Sequence, residues 1–212
     1  VNFLAHLHLS PDHSLVRVFN FSGDGFRGST WKKTASLEML LGVELHRFID
    51  SFTDEHELTR AAKARLRPKA KRTASIALDL LGDYFLHKHW ETMRLLQPHS
   101  TSIAMDDFIH SMLTEIETHQ SLLVGKASRM APFLTSQNWL MSYKTLDGIA
   151  HAAQGMAQRH PAIQDLPLFF KQLDAQDYQI AEQWFLEFYP TLMQACQAWT
   201  TAHPAHKMLP LS

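Results

Sequence analysis

The chain predicts an all-α fold, a single-domain helical bundle, and three observations carry that reading. Apolar residues recur at three- and four-residue spacing over most of the length. No alternating run of β-branched residues bounded by turn signals marks a strand. A hydrophobic content of 45% in 212 residues is enough to bury one sizeable core. One domain is expected over residues 1–203, with a frayed tail from Pro204 to Ser212.

Taken in order, Leu37, Leu40, Leu41, Leu45, Phe48 and Ile49 share one helical face and predict a helix from about Ser36 to Phe52. Thr53 or Asp54 suits the N-cap of the next helix. Pro68 is expected to interrupt the basic stretch that follows, before a long helix from Thr73 to Leu96 closed by Pro98. Further helices are expected at about Ala104 to Val124, Pro132 to Tyr143, Leu146 to Arg159 and Asp174 to Trp199. The last stacks Ala181, Trp184, Phe185, Phe188, Leu192 and Cys196 on one side as core, with a kink expected at Pro190.

Charges nearly cancel, 20 basic against 21 acidic, so only their distribution can speak of a polyanionic partner. Arg60, Lys63, Arg65, Arg67, Lys69, Lys71 and Arg72 follow one another with no acid between them and form a local cationic patch. A single cysteine, Cys196, excludes an internal disulfide and a thiolate zinc site, which points to a reducing compartment. No basic leader with a long apolar run opens the chain, and no stretch approaches the ~20 apolar residues that cross a bilayer. A cytoplasmic protein without a membrane partner is expected. Histidine is frequent, 14 in all, and it is the commonest metal ligand.

Gly42, His46 and Asp50 step by four along the helix from Ser36, which sets an imidazole and a carboxylate one turn apart on one stripe. Such a pair holds a metal ion or simply makes a surface contact. Asp79, Asp83 and His87 repeat the step on a helix whose other residues, Ile76, Ala77, Leu78, Leu80, Leu81, Tyr84, Phe85 and Leu86, are largely apolar. Buried carboxylates cost several kcal/mol unless neutralised, so arginines or a divalent cation must face them. The cation is the favoured reading, with His46 and Asp50 as complementary ligands. Asp24 lies between Gly23 and Gly25, where glycines let backbone approach a ligand and where a plain turn is the alternative. His6 and His8 sit among Leu and Ala and read equally as hydrogen-bonded core histidines.

Together these pieces resemble the acyl carrier protein phosphodiesterase family, counted among relatives of the HD-type metal phosphohydrolases. Asn2-Phe3-Leu4-Ala5-His6-Leu7 is similar to that family's opening, and Val1 then reflects a non-ATG start codon of a full-length chain. Asn20 to Gly28 is similar to its glycine-rich stretch around an aspartate. GVELHRFIDSFTD matches its most distinctive motif at Gly42, His46, Arg47, Ile49, Asp50, Thr53 and Asp54. Asp79, Asp83, Phe85, Leu86 and Trp90 match the following helix, and Asn138-Trp139-Leu140 with Tyr143 and Gly155-Met156-Ala157 with Arg159 extend the likeness over nearly the whole chain. Phe19 where glycine is common, Gly25 where an aromatic is usual and Tyr84 where histidine is frequent depart from the pattern, which leaves substrate preference open.

The resemblance implies a metal-dependent hydrolysis of the phosphodiester joining 4'-phosphopantetheine to a serine of holo-acyl carrier protein, in fatty acid and lipid metabolism. His46, Asp50, Asp79 and Asp83 are expected to form the metal cage, with Asp24 a further ligand or the group that orients the attacking water. Oxygen-rich ligation favours manganese, with magnesium second. Arg47 and Arg27 are candidates to grip the phosphate, Arg47 being equally a counterion for Asp50 or Asp54, and His6 is a candidate ligand or proton donor to the leaving serine. Carrier proteins of this class are acidic, so the patch from Arg60 to Arg72 is a docking surface or a solvated helix face. Two alternatives stand beside this reading: a related phosphohydrolase acting on a nucleotide or other small phosphodiester, and a non-catalytic helical binding module. Nucleic acid is not expected as a partner, because no recognised motif and no overall basic excess accompany the patch. Oligomeric state is left open.

Overall fold

The structure is a computed structural model that describes residues 3–96, 103–136 and 139–209. Val1, Asn2, Pro98, Asn138 and the last residues of the expected tail, 210–212, lie outside the described residues. In chain order the helices are α1 (Phe3–His8), α2 (Ser14–Phe21), α3 (Leu37–Glu55), α4 (Glu57–Ala70), α5 (Ala74–Lys88), α6 (Trp90–Leu95), α7 (Met105–Thr118), α8 (Gly125–Ser136), α9 (Trp139–Ser142), α10 (Leu146–Arg159), α11 (Asp165–Lys171), α12 (Ala175–Ala202) and α13 (Pro204–Met208). No strand occurs among the described residues, as the helical periodicity predicts. None of the helices is long and apolar enough to cross a membrane.

Several boundaries differ from the sequence expectation for local reasons. The long helix foreseen from Thr73 to Leu96 breaks at His89, whose φ of −108° and ψ of 21° leave the helical range, giving α5 and α6. Helix α3 runs through Thr53 and Asp54, and His56 caps α4 instead, its Nδ1 accepting from the Leu58 amide at 3.3 Å. Pro68 and Pro132 sit inside helices rather than interrupting or opening them, and Pro190 lies within the last long helix as expected. Helices α1, α2 and α11 are too short for periodicity to announce.

The chain divides into two compact units, residues 1–2, 53–101 and 139–191 in the first, and 3–52, 102–138 and 192–212 in the second. In the first, Leu66, Leu78, Leu81, Phe85, Trp184, Phe185 and Phe188 are buried. Trp184 stacks on Phe188 at 5.4 Å and donates its indole N–H to Thr59 Oγ1 at 3.0 Å, so the polar tip of the ring is satisfied inside the core. In the second, Val16, Leu41 and Ala205 form a buried cluster against which Leu37, Leu40, Trp199 and Leu209 pack. Buried Ala205 belongs to α13, so the segment that reads from sequence as the start of a frayed tail is helical through Met208, whose own side chain is exposed. Arg17 clamps α2 to α7 by donating to both Glu115 carboxylate oxygens at 2.8 Å.

Candidate metal centre

Four polar side chains meet in the second unit, brought there by three pieces of chain. Helix α1 brings His6, α3 brings His46 and Asp50 one turn apart, and the one-turn segment Gly23–Gly25 after α2 brings Asp24. Two glycines make the approach possible. A Cβ on Gly42 would lie 2.6 Å from Val16 O and 2.9 Å from the Asn20 amide nitrogen, so only glycine lets α2 lie this close to α3. A Cβ on Gly23 would lie 2.3 Å from His46 Cγ, so the imidazole packs directly on that backbone.

His6 and His46 stack face to face, ring centroids 4.1 Å apart and planes 18° from parallel. Both rings are buried, whereas Asp50 is half-buried and Asp24 exposed. His46 Nδ1 lies 2.7 Å from Asn20 O, a main-chain carbonyl that can only accept, so this nitrogen carries the proton. In the neutral ring Nε2 is then a lone pair. It faces Asp24 Oδ1 at 3.2 Å and Asp50 Oδ2 at 3.3 Å, yet it is buried and makes no hydrogen bond. His6 Nε2 faces the other Asp50 oxygen at 3.3 Å. One ligand atom from each of His6, His46 and Asp50 falls within 4.8 Å of the others.

The charges are set to match. Burial raises the Asp50 carboxyl, but the contact with His6 and the influence of His6 and His46 outweigh it and hold it at about 2. The adjacent His46 ring holds Asp24 below the usual carboxylate range. Burial, reinforced by His46, pushes the His6 imidazole below its ordinary value against the pull of Asp50. Two anionic carboxylates beside two inward imidazole nitrogens are a donor set for a divalent cation.

Asp79 and Asp83 lie on α5 of the first unit, Asp79 half-buried and Asp83 fully buried. Arg47 donates from Nη2 to Phe26 O at 2.6 Å and to Gly28 O at 3.1 Å, and its guanidinium lies over Trp31 at 5.3 Å. It therefore anchors the loop that follows Asp24, and no ion pair joins it to Asp50 or Asp54. Arg27 is exposed on that loop. In the basic stretch all three lysines are matched by acids of the same unit: Lys63 by Asp54, Lys69 by Asp174 and Asp177, and Lys71 by Asp165. Arg60, Arg65, Arg67 and Arg72 remain exposed. Sequence reasoning missed Asn20 and the packing role of Gly23. The signal for Gly23 was its place one residue before the aspartate; a main-chain carbonyl leaves no trace in sequence.

An all-helical chain with a buried two-histidine, carboxylate-rimmed cluster belongs to the class of helical proteins with a candidate metal centre. Comparison with known proteins narrows the class. A profile of the family described as acyl carrier protein phosphodiesterase matches residues 1–192. Relatives of that name share 34% identity over 197 residues in Photorhabdus laumondii, covering 93% of this chain and 96% of theirs, and 35% over 197 residues in Yersinia pestis, covering 93% and 98%. One from Escherichia coli (strain HS) shares 30% over 209 residues, 99% of this chain and 100% of its own. No solved structure matches. The chain belongs to the acyl carrier protein phosphodiesterase family of hydrolases.

Proposed function

We propose that the chain hydrolyses holo-acyl carrier protein, releasing 4'-phosphopantetheine and the apo protein, with a divalent ion held by His6, His46, Asp50 and Asp24. The observation that carries the ion is the buried His46 Nε2, set 3.2 Å from Asp24 and 3.3 Å from Asp50 without a hydrogen bond. Uncompensated, that arrangement is repulsive; a cation turns each contact into a ligand bond. An ion held there would lower the pKa of bound water and offset charge on phosphoryl oxygens. Asp24, exposed at the rim, would be a further ligand or the group that orients the attacking water, while buried His6 and His46 would hold the inner wall.

Manganese suits a set of two imidazoles with carboxylates. Magnesium, which prefers all-oxygen shells, suits it less than the sequence suggests. Asp79 and Asp83 are retained as further ligands, the HD-type relationship as part of the same reading, and the exposed arginines Arg60, Arg65, Arg67 and Arg72 as a docking surface for the acidic carrier protein.

Mass spectrometry of holo-acyl carrier protein incubated with the chain and Mn2+ tests the proposal, beside arms in EDTA and with Asp50→Ala, Asp79→Asn and Asp83→Asn. Loss of the phosphopantetheine mass in the metal-replete wild type, abolished by EDTA and by Asp50→Ala, is the expected result. An unchanged holo mass with metal bound would shift the assignment to a small phosphodiester. Full turnover by Asp79→Asn and Asp83→Asn would remove α5 from the cage.

A further inference from the structure

We infer that Asn20 is the positioning residue of this centre, fixing the tautomers of both histidines at once; the inference rests on the reading of the cluster as a metal site. Its main-chain carbonyl takes the His46 Nδ1 proton at 2.7 Å. Its fully buried side chain lies with Oδ1 3.0 Å from His6 Nδ1. Which way that amide points follows from its other contacts. Nδ2 donates to His6 O at 2.9 Å and to Ser10 Oγ at 2.8 Å, and Ser10 gives its own proton to His6 O at 2.9 Å. A flipped amide would press its oxygen against the His6 carbonyl and against a hydroxyl whose proton is already used. Oδ1 therefore accepts, His6 Nδ1 donates, and His6 Nε2 is left as a lone pair 3.3 Å from Asp50 Oδ1.

Without the Asn20 amide, His6 gains by moving its proton to Nε2 and donating to Asp50. That removes one nitrogen and one carboxylate lone pair from the metal. His46 keeps its tautomer, because its acceptor is main chain. The two rings thus respond differently to one substitution, which a merely structural asparagine would not produce.

Imidazole 15N spectra of the metal-free protein at pH 8, with calorimetric Mn2+ titrations, test this. Wild type should show Nδ1–H on both rings. Asn20→Ala should move His6 to Nε2–H, leave His46 unchanged, and weaken Mn2+ binding by about 10–100-fold, the usual effect of losing a partner that orients a ligand. Asn20→Asp keeps an acceptor and should keep the His6 tautomer, at a cost in stability because its second oxygen meets the His6 carbonyl, and Ser10→Ala should lower stability without touching either tautomer. An Nε2–H form on either wild-type ring overturns the inference even if Asn20→Ala does not fold. So does a folded Asn20→Ala that keeps Nδ1–H on His6 and wild-type affinity. Wild-type spectra as expected with no Mn2+ binding would instead defeat the metal reading and leave the tautomers standing.

Discussion

Gly23→Ala puts a methyl group where the His46 ring now lies. The new Cβ would sit 2.3 Å from His46 Cγ and 2.4 Å from His46 Cβ, where ordinary contact begins at 3.4 Å, so ring or backbone must move by at least about 1 Å. A shift of that size breaks the 2.7 Å bond from His46 Nδ1 to Asn20 O and pulls Nε2 away from both carboxylates. Overpacking costs about 1–3 kcal/mol, and a buried donor left without its acceptor costs about 1–3 kcal/mol. Relaxation of the short turn takes back part of each, so a net loss of about 2–4 kcal/mol is expected. For a chain of this length that lowers the melting temperature by roughly 5–15 °C. Differential scanning calorimetry without metal, then with Mn2+, reads both stability and the site. Gly28→Ala is the control: Gly28 has φ +64° and open space around its Cβ position, so it should lose only the ~1–2 kcal/mol of left-handed strain and keep its metal response. A Gly23→Ala protein that melts with wild type and responds normally to Mn2+ would refute the packing of this turn on His46.

Other perturbations follow from the same geometry. Gly42→Ala meets main-chain atoms of α2 that cannot swing aside, at 2.6 and 2.9 Å, so it should destabilise by about 1–3 kcal/mol and weaken Mn2+ binding together; loss of one without the other would separate helix packing from the site. Mn2+ at ~100 times its dissociation constant should stabilise by about 2.7 kcal/mol, roughly 5–10 °C in melting temperature, with EDTA and His46→Ala abolishing the shift. For pH the directions decide. Asp50, held at about 2, and Asp24, held below the ordinary carboxylate range, stay anionic through the range compared here, and depressed His6 stays neutral to lower pH than an ordinary imidazole. Two ordinary imidazoles would weaken metal binding roughly 14-fold between pH 7.5 and 6.0; calorimetric titration here should show clearly less, and the full loss would mean His6 titrates freely. Arg65→Glu with Arg67→Glu, both exposed, should raise KM for carrier protein and leave kcat alone; an unchanged KM removes the patch from docking.

How much of this was legible in the sequence depends on what each feature is made of. The stripe of His46 and Asp50 could be read because side chains four apart on a helix must share a face, and Leu146–Arg159 because its helical periodicity is uninterrupted. The break at His89 could not: nothing about histidine forbids a helix, and the partner its ring meets there, Glu182 at 2.7 Å, lies 93 residues further along the chain. His6 illustrates the harder limit. In NFLAHLHL an imidazole among leucines reads equally as core or as ligand, and the partner of its Nδ1, the side-chain amide of a residue fourteen places on, is not visible in the local sequence. Arg47 shows the same limit from the other side. An arginine beside a metal-binding motif invites a phosphate, yet two carbonyls of the 26–28 loop already hold one of its nitrogens. Charge next to a site is therefore weak grounds for a catalytic role until its hydrogen-bond partners are known. Bonds that run to the main chain, as from His46 to the Asn20 carbonyl, carry no residue-type signature at all, which is why the pairing of His46 with Asp50 could be read from sequence while the group that orients the His46 ring could not.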